Sequence, residues 1–322
     1  MRALVSEQGA VRLDHHWPEP DPVGDQVLVR PTRLGVTPAD LRAVRAGRFS
    51  GVLGSEFVGI VEKLGPDAAG QDHLLNKRVV GSPQIVCGEC DLCQRGLSQH
   101  CRAGRIIGRD GADGCFAERF VIGVRQIALI PDGVDDDAAL FAGCVARAMH
   151  AARRVRIEGK PYVTVLGDTP LALIAAQIMT SLNGSVRCLG DRPAAYGLCE
   201  KWGVKHRHIR EVGLRHDQDI VIDCADDRPE FGDLALGLVR PRGKIVLMSA
   251  GAGPRLDPHE IIEHEVEVYG VASGNPCEGL AELAKGALDV VSLISRRVRL
   301  VDGLSVLRAA AEPEQLKVVI DP

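Results

Sequence analysis

The sequence predicts an α/β fold in two parts, a β-rich first region followed by a doubly wound parallel sheet, and three observations carry that expectation. Up to about Asp132, short alternating runs such as Gln26-Val27-Leu28-Val29-Arg30 and Phe57-Val58-Gly59-Ile60-Val61 are punctuated by Pro and Gly, the pattern of half-buried strands and loops. From Asp135 to Arg154 the rhythm becomes Ala-rich and helical. From Val163 onward strand-like and helix-like segments alternate, which calls for parallel strands covered by helices on both faces.

The strand candidates of the second region are Val163 to Leu166, Val186 to Leu189, Ile220 to Asp223, Lys244 to Met248 and Val266 to Tyr269. After the first of these, Leu171, Ile174, Ala175, Ile178, Met179 and Leu182 recur at the spacing of one helix face, so that helix is expected to pack on the sheet. Beyond about Ala272 the alternation stops. The tail ends in Leu316-Lys317-Val318-Val319-Ile320, a terminal strand expected to return to the first region. The expected boundaries are 1–144, 145–272 and 273–322.

A chain of 322 residues with 45% apolar content fits about two globular domains. Net charge is −4 with both signs interspersed, so no basic face argues for nucleic acid and no polybasic helix for a membrane surface. The expected partners are small molecules. Met1-Arg2-Ala3-Leu4-Val5 leads into a strand rather than a signal region, and no run reaches the roughly 18 apolar residues of a membrane span; the expected compartment is the cytoplasm.

Among the ten cysteines, Cys87, Cys90, Cys93 and Cys101 form C-x-x-C-x-x-C followed, after seven intervening residues, by a fourth member, while the other six are scattered singly. Reduced thiols fit this better than disulfides. Thiolates are strong zinc donors, and four of them close a tetrahedral site with no position left for substrate. One structural zinc per chain is expected, in a lobe covering about 85–103.

Gly167-Asp168-Thr169-Pro170-Leu171-Ala172 follows a strand and opens a helix, where a dinucleotide's pyrophosphate rests on backbone N–H groups and the helix dipole. The string departs from G-x-G-x-x-G at Thr169, so the alternative is a tight strand-to-helix turn that holds no cofactor. About 20 residues on stand Asp191, suited to the ribose hydroxyls of NAD, and Arg192, suited to the 2′-phosphate of NADP. Either could equally be a solvated charge, and the choice between NAD and NADP stays open.

The quartet after a β-rich region, Gly114-Cys115-Phe116-Ala117-Glu118, and the turn at Gly167 together resemble the medium-chain dehydrogenase/reductase family, specifically its zinc alcohol dehydrogenase-like branch. The resemblance implies a GroES-like first domain with the zinc lobe, a Rossmann domain binding NAD or NADP, a C-terminal return to the first domain and, as is usual in the family, a homo-oligomer. It also locates a catalytic zinc, and there the chain differs. The family's G-x-C-G-[ST]-D-L reads Gly35-Val36-Thr37-Pro38-Ala39-Asp40-Leu41, with Thr37 for the cysteine ligand and Ala39 for the hydroxyl of the proton relay. G-H-E reads Gly54-Ser55-Glu56, with Ser55 for the histidine. The third ligand falls near Gly143, beside Cys144.

Neutral hydroxyls are poor zinc donors, and Glu56 with Cys144 falls short of the three protein ligands that a catalytic zinc needs. The alternative reading of Glu56 is a buried acid in a hydrogen-bond network, and of Cys144 a small core residue. Two functions follow as expectations: an NAD(P)-dependent oxidoreductase without an ordinary catalytic zinc, with Thr37 and Ser55 as hydrogen-bond donors to a carbonyl oxygen, or a non-catalytic relative that keeps fold, structural zinc and nucleotide binding as a sensor or assembly subunit.

Overall fold

The computed structural model describes residues 1–226, 228–249 and 256–322. The chain divides into two compact units, Met1–Gly143 with Ile294–Pro322, and Cys144–Leu293. The return to the first unit therefore begins at Ile294, not at 273. Residues up to Leu293 stay with the second unit because Gln177 holds Asp289 through its backbone N–H and the Asp289 carbonyl, at 2.8 and 3.2 Å. Lys201 and Trp202 also donate to the Asp289 carboxylate.

In the first unit the strand Gln26–Gly35 is the hub. It pairs antiparallel with Phe57–Leu64, with Phe120–Gly123 and, through Gly35 and Leu34, with the terminal strand Lys317–Asp321. Leu4, Val29, Leu34, Phe57, Phe116 and Val318 lie in one buried cluster, and Phe57 meets Phe120 edge to face with centroids 4.6 Å apart. The expected terminal strand thus returns to the first unit as foreseen, parallel to Ile294–Arg299 on its other side.

In the second unit six parallel strands stand in the order Lys205–His208, Ser185–Gly190, Tyr162–Leu166, Gln218–Asp223, Val239–Leu247 and Glu267–Gly270. Five were legible as apolar runs. The sixth, Lys-His-Arg-His, was not, because it is an edge strand with Lys205 and Arg207 exposed. The helix Pro170–Ser181 buries Leu173, Ile174, Ile178 and Met179, as its stripe predicts. Helices lie between all five expected strands; after the unexpected strand Lys205–His208, residues 209–217 carry only the 3₁₀ turn Ile209–Glu211. Among the described residues no helix is long and apolar enough to cross a membrane.

Candidate functional site

The ligand atoms of Cys87, Cys90, Cys93 and Cys101 all lie within 4.8 Å of one another. Four sulfurs at about 2.3 Å from a zinc would stand about 3.8 Å apart, and Cys87 lies 3.4 Å from Cys101 and 4.0 Å from Cys93. The residues fit the ion. Backbone N–H groups of Cys87 and Cys90 point at the sulfurs of Cys101 and Cys87, the orientation that steadies thiolates. Backbone donors from Arg102 and Cys93 pull the Cys90 thiol down to about 6. Arg102 clamps Asp91 with two bonds of 2.7 and 2.9 Å, tying the lobe's helical turn to its last ligand's neighbour.

Around Thr37, Ser55 and Glu56, where the resemblance leads one to expect catalytic ligands, the chain builds a hydrogen-bonded and ion-paired cluster. Thr37 caps the helix Pro38–Ala46 in a full capping box: its hydroxyl accepts from the Asp40 backbone N–H while the Asp40 carboxylate accepts from the Thr37 backbone N–H. Such a box satisfies two donors that a helix start leaves open. The Thr37 hydroxyl also donates to Asp40 Oδ2 at 2.7 Å, and the Ser55 hydroxyl to Asp40 Oδ1 at 2.8 Å. Each hydroxyl has one proton, and Asp40 receives both. The expected role of Thr37 and Ser55 as donors to a substrate carbonyl is therefore not available in this arrangement.

Asp40 is 4% exposed, and burial lifts its carboxyl above the usual range against the hydrogen bonds from Thr37 and Ser55 and the nearby Lys317 charge. Glu56, the surviving acid of the motif, forms an ion pair with Lys317 from the terminal strand. Burial raises the Glu56 carboxyl and Lys317 opposes that rise. The Lys317 ammonium also donates to the Val36 carbonyl at 3.3 Å and lies 5.8 Å from the centre of the Phe141 ring. Gly35 makes room for the pair: a Cβ there would lie 1.9 Å from Glu56 Oε2 and 2.8 Å from Lys317 Nζ. Cys115 is fully buried beside them, its sulfur 3.5 Å from the Glu56 carbonyl.

The structure thus gathers Thr37 and Ser55 on Asp40 and sets Glu56 against Lys317, while Cys144 is the first residue of the second unit. Sequence reasoning missed Asp40 as the hub and missed Lys317 altogether. The available signal was a lone lysine inside an otherwise apolar terminal strand, since a buried lysine needs an acid.

In the second unit Gly167 has φ +102°, and a Cβ there would stand 2.8 Å from the Cys224 carbonyl oxygen. Only glycine fits this turn. Thr169 caps the helix start, its hydroxyl accepting from the Ala172 N–H at 3.2 Å and donating to the Cys224 carbonyl at 3.3 Å. Pro170 has no N–H, so Leu171 carries the helix-start donor that this cap does not take. Asp168, 4% exposed, accepts from the backbone N–H groups of Asp191 and Arg192 at 2.8 and 2.6 Å, with the Arg192 guanidinium 3.4 Å away.

Asp191 is held by Arg228 through bonds of 2.8 and 3.2 Å, and those bonds keep its carboxyl below the usual range. The Arg228 guanidinium lies 4.1 Å over the Phe231 ring. The seven expected cofactor residues therefore meet at one strand-to-helix turn and the end of the next strand. The glycine turn and helix start fit a pyrophosphate.

Residues 24–132 match the alcohol dehydrogenase GroES-like domain. Over 330 residues the chain is 23% identical to the sorbitol dehydrogenase of Bacillus subtilis, spanning 95% of this chain and 92% of that one. It is 28% identical over 349 residues to the L-threonine 3-dehydrogenase of Streptomyces avermitilis, spanning 100% and 99%. Among solved structures, one named a zinc-binding dehydrogenase, from Sinorhizobium meliloti with NADP bound, superposes with a TM-score of 0.88 at 26% identity, covering 100% of this chain and 99% of that one. With the GroES-like domain, the cysteine lobe and the parallel cofactor-type sheet all in place, residues 24–132 form an alcohol dehydrogenase GroES-like domain, and the chain is similar over its whole length to zinc-type dehydrogenases of the medium-chain dehydrogenase/reductase kind.

Proposed function

We propose that this protein is an NAD(P)-dependent oxidoreductase that works on a small hydroxyl or carbonyl compound without a catalytic zinc. The observation that carries the second half is the engagement of Thr37, Ser55 and Glu56 by Asp40 and Lys317. Two neutral hydroxyls bound to one carboxylate, beside an acid already paired, are not a zinc donor set. The first half rests on the GroES-like domain, on the whole-length similarity to named dehydrogenases and on the turn at Gly167. Relatives named for a polyol, a polyol phosphate and an amino acid support a hydroxylated substrate.

Bound NAD(P) supplies the hydride donor or acceptor. The chain's own residues hold it: Gly167 lets the backbone approach, Leu171 presents its N–H, and Asp191 with Arg192 lies at the ribose end. In the first unit the Lys317 ammonium places a buried positive charge beside Glu56. Ser55, 8% exposed and backed by Asp40, supplies a hydroxyl-to-carboxylate path for a proton where Ala39 offers none. The edge strand Glu267–Gly270, with Val268 37% exposed, is open to a second copy, which supports a homo-oligomer. All ten cysteines are free, in keeping with the cytoplasm.

Titrating NADH and NADPH separately, then assaying a panel of alcohols, polyols and their carbonyl products with and without a strong chelator, tests this reading. Turnover that survives removal of any loosely held metal supports it. Failure to bind either cofactor would leave the non-catalytic relative.

A further inference from the structure

We infer that the second unit carries a binding site for a phosphate-type oxyanion at the amino ends of its outer strands, formed by Arg187, Lys205 and Arg207 and separate from the cofactor turn. A crossover between parallel strands normally lays a helix across the sheet. The connection through residues 209–217 has only a single 3₁₀ turn. Tyr162, Arg187, Lys205, Arg207, Asp217 and Gln218 border a groove of about 490 Å³. Tyr162 within it is 58% exposed.

The charges in this groove are unbalanced. Arg187 and Lys205 stand directly opposite one another in register, and like charges so placed repel. Among the described residues no acid forms an ion pair with Arg187, Lys205 or Arg207. The one carboxylate bordering the groove, Asp217, is engaged by the Gln218 amide at 2.6 Å. Arg187 spends its Nε on the Thr164 hydroxyl at 2.7 Å, and that hydroxyl donates in turn to Gln218. The guanidinium is thereby fixed in place, yet its Nη2 is buried with no hydrogen-bond partner. A buried unpartnered guanidinium nitrogen is costly.

Lysine and arginine on an edge strand are commonly guards against strand pairing, and Lys205 and Arg207 would serve as such. Arg187 sits one strand further in, where no edge needs guarding. Burial disfavours its charge, Asp217 opposes that and Arg215 adds a smaller push; the unpartnered Nη2 is the donor that an anion would satisfy. Phosphate or a phosphate ester matches, because a guanidinium fork and a neighbouring ammonium suit its oxygens. The groove lies toward the amino ends of the strands, whereas the cofactor turn follows their carboxyl ends, so the two sites are distinguishable by mutation.

The test uses the full chain, with inorganic phosphate and phenyl phosphate as probes at ionic strength matched with chloride, read by calorimetry and by thermal unfolding. The probes separate a free anion from an ester whose ring stacks on Tyr162. Wild-type protein is expected to bind at least one probe and to melt higher with it. Arg187→Met and, independently, the surface pair Lys205→Met with Arg207→Met are each expected to weaken that binding at least tenfold while leaving NADH binding unchanged. No binding beyond chloride, or equal binding by the folded variants, would overturn the inference.

Discussion

The Lys317 ammonium and the Glu56 carboxylate meet across 261 positions of sequence, with only 5% and 17% of their side-chain surfaces exposed. Removing one partner of such a pair strands a buried charge. Lys317→Met is therefore expected to destabilise the first unit by about 3 to 5 kcal/mol, measured by denaturant unfolding. Adding Glu56→Gln to that variant should recover most of the loss, because the stranded charge is gone. A single variant as stable as the parent would show that the pair does not form.

Asp40 gathers four hydrogen bonds from two residues, one of which it donates through its own backbone. Ser55→Ala deletes one donor to a buried carboxylate, at a cost of about 1 to 3 kcal/mol. Thr37→Ala deletes the cap and another donor, at a cost of at least about 1 kcal/mol. Both are read as shifts in unfolding midpoint at constant slope. Ser55→Ala should also slow turnover more than it weakens substrate binding if Ser55 passes a proton.

The cysteine lobe should hold its ion independently of any catalysis. Cys93→Ser is expected to yield zinc-poor protein melting lower by about 5 °C or more. Unchanged metal content and melting would remove the lobe assignment.

Asp289 supplies a pH signature in the second unit. Burial would raise its carboxyl, but donors from Lys201, Trp202 and Ser292 outweigh that and hold it at about 2. A depressed folded-state value means that the stabilisation is present above the unfolded value near 4 and is lost as pH falls towards 2. The contribution at neutral pH is about 1 to 2 kcal/mol, allowing for partial exposure. Asp289→Asn should lower stability at pH 7 and flatten its fall between pH 4 and 2; an unchanged acid limb would contradict the arrangement.

Much of the fold was legible because its signals are local. The spacing of Cys87, Cys90, Cys93 and Cys101, the stripe from Leu171 to Met179 and the apolar strands of the parallel sheet can each be read within one short window. What stayed hidden was long-range or polar. The strand Lys205–His208 has no apolar pattern, and the return at Ile294 depends on contacts of Asp289 with Gln177, 112 positions away. Thr37 and Ser55 could be singled out from their motif positions alone. That both hydroxyls are spent on Asp40, and that Lys317 arrives from the far end of the chain to meet Glu56, required the three-dimensional pairing of Lys317–Asp321 with Gln26–Gly35.

Metal content of the purified, catalytically assayed protein, measured by mass spectrometry and located by anomalous scattering, bears most directly on the claim that an internal ion pair and a hydrogen-bonded carboxylate stand where a catalytic ion would. The expected result is about one zinc per chain, at the four cysteines, with turnover intact. A second tightly held ion at Glu56, needed for turnover, would contradict it.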